Sequence, residues 1–154
     1  MNTENEKTLK ILVIHGPNLN LLGQRDKKEY GTLTLDKLNK LIRRTAGDLG
    51  MEVAVYQFNS EEKIIRTLQR KRNLCDAVII NPAAYTHYSY AIRDAIELVP
   101  GPVVEVHLSN IYEREVFRKI SVTKDVCIRQ IYGKKEKSYT EALAFLNDYL
   151  KNGA

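Results

Sequence analysis

Five short apolar runs, Leu9–Ile14, Glu52–Gln57, Ala77–Ile80, Val103–Val106 and Val126–Ile131, alternate with stretches whose apolar residues recur every three to four positions. Runs this short read as strands, and the stretches between them as helices. Leu35, Leu38, Leu41, Ile42 and Leu49 mark the first helix, with Gly50 as its stop. Asn59 followed by Glu62 predicts a capping box for the second, with Ile64, Ile65 and Leu68 facing inward. Ser89 to Val99 predicts a third, ended by Pro100-Gly101-Pro102, and Ser138 with Glu141 predicts the start of the last, with Leu143, Leu146 and Leu150 inward. Such alternation predicts an α/β domain built on a parallel sheet. Five strands suit a flavodoxin-like three-layer sandwich, and with no repeat or linker the whole of residues 1–154 reads as one domain.

Composition narrows the class. A chain of 154 residues buries roughly 70% of its unfolded surface. Its 44% apolar and 28% charged residues are those of a soluble globular protein. The first ten residues are polar without an apolar signal core, and no apolar run is long enough to span a bilayer, so a cytoplasmic protein without membrane contact is expected. Cys75 and Cys127 lie in apolar surroundings without metal-type spacing and read as reduced core thiols. The net charge of +5 permits nucleic-acid binding. The basic residues are nevertheless scattered outside Arg66–Arg72 and Lys134–Lys137, with no accompanying aromatic motif. A small anionic substrate suits the same balance.

In open parallel sheets ligands bind beyond the carboxyl ends of the strands. Here those ends carry His15-Gly-Pro-Asn18, Asn81-Pro-Ala-Ala-Tyr-Thr-His87 and Glu105-Val-His107-Leu-Ser-Asn110, which include all three histidines. Gly16-Pro17 makes a turn that lets backbone approach a ligand, but lacks dinucleotide or P-loop spacing. Asn18 suits either a developing oxyanion or an Asx-turn, and Asn81-Pro82 either a ligand or turn chemistry. Glu105 and His107, two apart on one strand, share a face, and a carboxylate beside an imidazole suits a general acid. The Leu108 and Ser109 N–H groups just beyond could hold a carboxylate or hydroxyl. Arg114 and Arg118 share a face if that segment is helical, and suit either a bidentate clamp on a carboxylate or salt bridges to Glu113 or Glu115. Arg93-Asp94 suits an ion pair, a ligand contact or a neighbouring subunit.

The turn after the first strand continues into a loop that places Arg25 and Tyr30 five residues apart. Tyrosine is a poor base at neutral pH, with a reference pKa near 10. A guanidinium beside a phenol favours the phenolate and makes a proton abstractor of it.

Together the segments I-H-G-P-N-L-N-L-L-G-Q-R with E-Y-G, I-N-P-A-A-Y-T-H with A-I-R-D-A, and V-E-V-H-L-S-N with R-E-V-F-R resemble type II 3-dehydroquinate dehydratase. They fall in family order and span most of residues 11–118. The resemblance implies a flavodoxin-like fold, a homododecamer built from trimers, no metal or cofactor, and anti elimination of water from 3-dehydroquinate through an enolate. It implies Tyr30 as the base, Arg25 as its activator and loop clasp, Asn18 as enolate stabiliser, and His107 as the acid oriented by Glu105. Asn81, His87, Leu108, Ser109 and Arg118 would bind substrate, and Asp94 would contribute across a subunit boundary. The chain departs from the family at Lys27, where proline is usual, and this substitution is expected to loosen the lid Gln24–Tyr30. Phe58, Arg66 and the charged stretch Gly133–Ser138 also depart, with expected effects on subunit packing. Two other readings are a metal-dependent hydrolase using His15, His87 and His107, and a non-catalytic flavodoxin-like module. The first lacks a local ligand pair such as H-x-x-x-H, and the second leaves the Arg25–Tyr30 spacing unexplained.

Overall fold

A computed structural model describes residues 7–24 and 27–153. Strands β1 (Lys10–His15), β2 (Glu52–Gln57), β3 (Ala77–Asn81), β4 (Val103–Val106) and β5 (Arg129–Ile131) form one sheet in the order β2-β1-β3-β4-β5. All neighbours are parallel. This is the flavodoxin-like order, whose strand sequence reverses between β1 and β3. The helices are α1 (Lys27–Tyr30), α2 (Leu35–Asp48), α3 (Glu61–Lys71), α4 (Tyr90–Glu97) and α5 (Lys137–Asn152). No described helix is long and apolar enough to cross a membrane.

Side-chain alternation along the strands divides the core in two. Ile11, Val13, Ile79, Val104 and Val106 pack with Leu38 and Ile42 of α2 and Leu143 and Leu146 of α5. Leu12, Ile14, Val78, Ile80 and Val103 pack with Ile64 and Leu68 of α3 and Ile92 and Ile96 of α4. Each of these fully enclosed aliphatic side chains stabilises the fold by about 1.5–3 kcal/mol. Cys75 and Cys127 are unpaired and half-buried, and burial pushes both thiols up, helped by Asp76 and Glu105 respectively.

Element ends differ from the sequence expectation where polar side chains have competing partners. The cap of α3 is Ser60, whose hydroxyl accepts the Lys63 N–H. Asn59 instead turns its carbonyl oxygen to the Asn18 N–H and the Gln57 amide. Ser138 does not cap α5; its buried hydroxyl accepts the Lys134 N–H and closes the preceding turn. The last strand is shorter than its apolar run, because Lys124–Val126 winds into a 3-10 turn before β5. Gly50 does end α2, at φ +72°.

The turns after β1 and β3 are pressed together at Gly16. Its N–H donates to the Asn81 carbonyl at 2.8 Å, and a Cβ there would lie 2.6 Å from the Pro82 carbonyl oxygen. Only glycine permits this approach, which fixes the spacing of the two turns at the carboxyl edge of the sheet.

Candidate active site

A cavity of about 120 Å³ opens beyond the carboxyl ends of β1, β3 and β4. Pro17, Asn18 and Leu19 line it from the first turn, and Asn81, Ala83, Ala84 and His87 from the turn after β3. His107, Leu108, Ser109, Ile111, Arg114 and Arg118 close it from the β4 side, and Tyr30 from α1. Its frame holds strained backbone. Among the described residues the non-glycine positions with positive φ are Asn18 (68°), Ala83 (53°) and Lys135 (53°). Each left-handed residue costs roughly 1–2 kcal/mol. Asn81 Oδ1 holds Ala83 there by accepting its N–H at 3.0 Å, and Lys135 donates its N–H to the Leu108 carbonyl at 2.9 Å. The Ser109 carbonyl likewise accepts the Gly133 N–H, so both carbonyls of that turn are taken, while the Leu108 and Ser109 N–H groups have no acceptor among the described residues.

On the β4 side, Glu105 is fully buried and His107 nearly so. His107 Nε2 lies 2.9 Å from Glu105 Oε2, so Nδ1 is the nitrogen left for a ligand. Ser121, Thr123 and Gln130 also donate to the carboxylate. Burial pushes the Glu105 carboxyl up, but the bonds from His107, Thr123 and Gln130 outweigh it and hold the group below the usual carboxylate range. An ionised carboxylate therefore fixes the imidazole tautomer. Ser121, Thr123 and Gln130 carried no sequence signal, because they reach Glu105 only through folding.

Opposite stands Tyr30, buried in one turn of helix that Gly31 closes by donating its N–H to the Lys27 carbonyl at 2.8 Å. Lys27, the departure expected to loosen the lid, is the first residue of that turn. Arg114 Nη1 donates to the Tyr30 hydroxyl at 3.0 Å and reaches Ser109 Oγ at 3.4 Å. A fixed positive charge thus meets the oxygen that must be negative before Tyr30 can take a proton. Arg25, expected in this role, lies outside the described residues. The sequence offers Arg114 beside Arg118 as a clamp on one helical face, and the resemblance assigns substrate binding to Arg118 alone. The chain instead makes two 3-10 turns, Ile111–Glu113 and Val116–Lys119, with extended backbone at Arg114 between them. That break sends the arginines different ways. Arg118 Nε pairs with Glu115 at 2.7 Å, one of the salt bridges the sequence allows, while its side chain still lines the cavity.

The three histidines end on one rim but do not converge. His15 follows Ile11 and Val13 in the alternation, so it faces α2 and α5, whereas His107 shares the opposite face with Glu105. Asn39 Oδ1 accepts from His15 Nε2 at 2.8 Å, leaving Nδ1 to accept the Tyr139 hydroxyl at 3.0 Å. The Tyr139 oxygen in turn accepts from Asn81 Nδ2 at 3.1 Å. His15 is thus structural, which removes it from the three-histidine metal reading, and Asn81 keeps one N–H for a ligand. Among the described residues no group of three or more His, Cys, Asp or Glu is placed to hold a metal ion. His87 directs Nδ1 at the Ile120 carbonyl, 2.7 Å away, so its neutral Nε2 is an acceptor. Burial, against the Ile120 bond, keeps its protonation below the ordinary histidine range. Asp94 is exposed on α4 and does not reach the cavity within this chain; Arg93 bonds the Val122 carbonyl and approaches Glu97 instead.

Burial lowers His15 to about 4, opposed by the Asn39 bond and assisted by Arg43. The unfolded chain takes up this proton near 6.5 and the folded protein only near 4. The unfolded state therefore binds more protons between those values, and the His15 contribution, whole above pH 6.5, falls as pH drops toward 4. The expected slope is about 1.4 kcal/mol per pH unit. Urea titrations across this interval should show a shallower decline in His15→Gln than in the parent; equal slopes would clear His15 of the effect.

The chain as a whole is similar to proteins of known family. The chain matches the family described as Dehydroquinase class II over residues 9–147. It is 51% identical over 142 residues to a 3-dehydroquinate dehydratase of Caldanaerobacter subterraneus subsp. tengcongensis, covering 90% of this chain and 96% of that protein. The crystal structure of type II dehydroquinase from Butyrivibrio crossotus superposes with a TM-score of 0.89 at 48% identity, covering 91% of this chain and 98% of that one. That from Propionibacterium acnes gives 0.87 at 39% identity, covering 92% and 99%. With its sheet order, its strand-end motifs and a match that runs through both, the chain belongs to the type II dehydroquinase family.

Proposed function

We propose that this protein is a 3-dehydroquinate dehydratase, a hydro-lyase of the shikimate route to chorismate and aromatic amino acids. The observation that carries this reading is a single cavity with Tyr30 and its Arg114 donor on one wall and the Glu105-backed His107 on another. Tyr30 removes the C2 proton of 3-dehydroquinate, and the electrons pass to the C3 carbonyl oxygen as an enolate. Asn18, held left-handed at the cavity mouth, stabilises that oxygen through an ordered water. Collapse of the enolate expels the C1 hydroxyl, to which His107 gives a proton from Nδ1, producing water and 3-dehydroshikimate. The spare Asn81 N–H, His87, Ser109 and the Leu108 N–H bind hydroxyls and carboxylate, with Arg118, whose Nη donors remain beyond its Nε bond to Glu115. Arg25, five residues before Tyr30 in sequence, is the second guanidinium assigned to favouring its phenolate.

The reading extends to assembly and compartment. Tyr88, Val116, Phe117 and Ile120 are exposed large apolar side chains on the segments that carry His87 and Arg118. Such a patch supports burial against further copies, as a homododecamer of trimers in which Asp94 serves a neighbouring cavity. Two unpaired cysteines support a reducing cytoplasm.

Purified protein incubated with 3-dehydroquinate should generate the ultraviolet absorbance of the conjugated enone, with borohydride leaving activity intact, and should sediment as a dodecamer. No turnover, or inactivation that needs substrate and borohydride together (the mark of a lysine Schiff base), would overturn the activity. A monomer at working concentration would overturn the assembly.

A further inference from the structure

Glu105 Oε2 is shared between several donors. His107 Nε2 lies 2.9 Å from it, Ser121 Oγ 3.0 Å and Gln130 Nε2 2.5 Å. Gln130 stands opposite Glu105 in the β4–β5 register, so strand pairing delivers its amide to the carboxylate. An ionised carboxylate only accepts, so the Gln130 atom facing it is the NH2 group. Its carbonyl therefore points the other way and accepts the Tyr112 hydroxyl at 2.6 Å. Tyr112 sits in the 3-10 turn that leads directly into Arg114.

We infer that Gln130, oriented by Tyr112, is a positioning residue for the dehydration, which limits the carboxylate charge available to His107 and so favours release of its proton. This rests on His107 being the proton donor. An imidazolium is held by the charge concentrated on the oxygen it faces, and each further donor to that oxygen disperses the charge. Weaker holding means readier protonation of a departing hydroxyl. The Tyr112–Gln130 link also ties the loop carrying Arg114 to the Glu105–His107 pair, so the two walls of the cavity share one hydrogen-bonded support. Among the described residues the other charged or titratable groups facing the pair are His87 and Arg118 across the cavity, Arg114 and Tyr30 on the far wall, and Cys127 behind Glu105. All are retained when Gln130 alone is changed.

Gln130→Met keeps the length of the side chain and removes the donor. The alkaline limb of its kcat profile should move up by about 0.5–1 pH unit, with the plateau kcat lowered roughly threefold. KM should hold, since Gln130 does not line the cavity. Tyr112→Phe, a milder change that keeps the fold if the first variant does not, should move the limb the same way by less. Nitrogen-15 NMR of the His107 ring in ligand-free protein reads the effect without turnover, and its titration should move to higher pH in both variants. Unmoved titrations, or a lower kcat with an unmoved limb, would overturn the inference. Absence of dehydration by the parent protein would overturn the functional reading instead, and the NMR titration would still decide whether Gln130 governs His107.

Discussion

Tyr30→Phe is expected to lower kcat by about 10²- to 10⁴-fold, the range lost with a positioned acid or base. The substitution keeps the buried ring and its packing, and deletes only the oxygen that Arg114 contacts at 3.0 Å. Arg114 retains its reach to Ser109, so the wall does not lose its guanidinium anchor altogether. Binding of a product-like ligand should consequently survive, because Asn81, His87 and Arg118 are untouched. Steady-state kinetics together with calorimetric titration of 3-dehydroshikimate separate the two effects. Turnover near that of the parent would exclude Tyr30 as the base. Loss of ligand binding in parallel with kcat would make it a packing residue.

His107→Ala should produce a loss of similar size for the opposite reason. Hydroxide is a poor leaving group, and without a proton donor on its side of the cavity the enolate reverts more often than it eliminates. A distinguishing outcome follows. Exchange of the C2 proton with solvent deuterium should persist in His107→Ala and vanish in Tyr30→Phe. The alanine variant also removes one donor from a buried carboxylate, at a cost of about 1–3 kcal/mol. Ser121, Thr123 and Gln130 remain to satisfy Glu105, so a folded protein with a modestly lowered Tm is expected. Near-normal turnover, or loss of exchange together with elimination, would remove His107 from the role of acid.

Much of the architecture was legible because it rests on periodicity. Strand runs such as Ala77–Ile80 and helix faces such as Leu38 and Ile42 lie in the sheet and core that their patterns imply. Polar residues at element ends were harder, since each has several partners within reach. Asn59 and Ser138 match a capping pattern, yet a distant backbone N–H claims the first side chain and the preceding turn claims the second. The site was legible where neighbours in sequence stay neighbours in space, as for Glu105 and His107. Position at a strand end is a weaker guide at His15, which the two-residue alternation of β1 turns to the other face of the sheet. The contact of Arg114 with Tyr30 was not legible, because an extended residue between two 3-10 turns leaves no periodic signature. Gln130 was invisible, since only the β4–β5 register brings it to Glu105.

The position of Glu105 behind His107 has a consequence for how substrate arrives. Among the described residues the cavity lining includes Arg114 and Arg118 but no carboxylate: Glu105 is sealed beneath the imidazole, and Glu115, which pairs with Arg118, stands outside the lining. On a chain of net charge +5, Arg114, whose partners Tyr30 and Ser109 are hydroxyls, is then the charge that an approaching anion meets in the lining without a carboxylate bonded to it. An anion diffusing past is drawn inward over a distance of about 8 Å at physiological ionic strength, before any hydrogen bond forms. Capture is thereby separated from chemistry: field lines gather the substrate, and the buried carboxylate acts only on the proton at the end of the path.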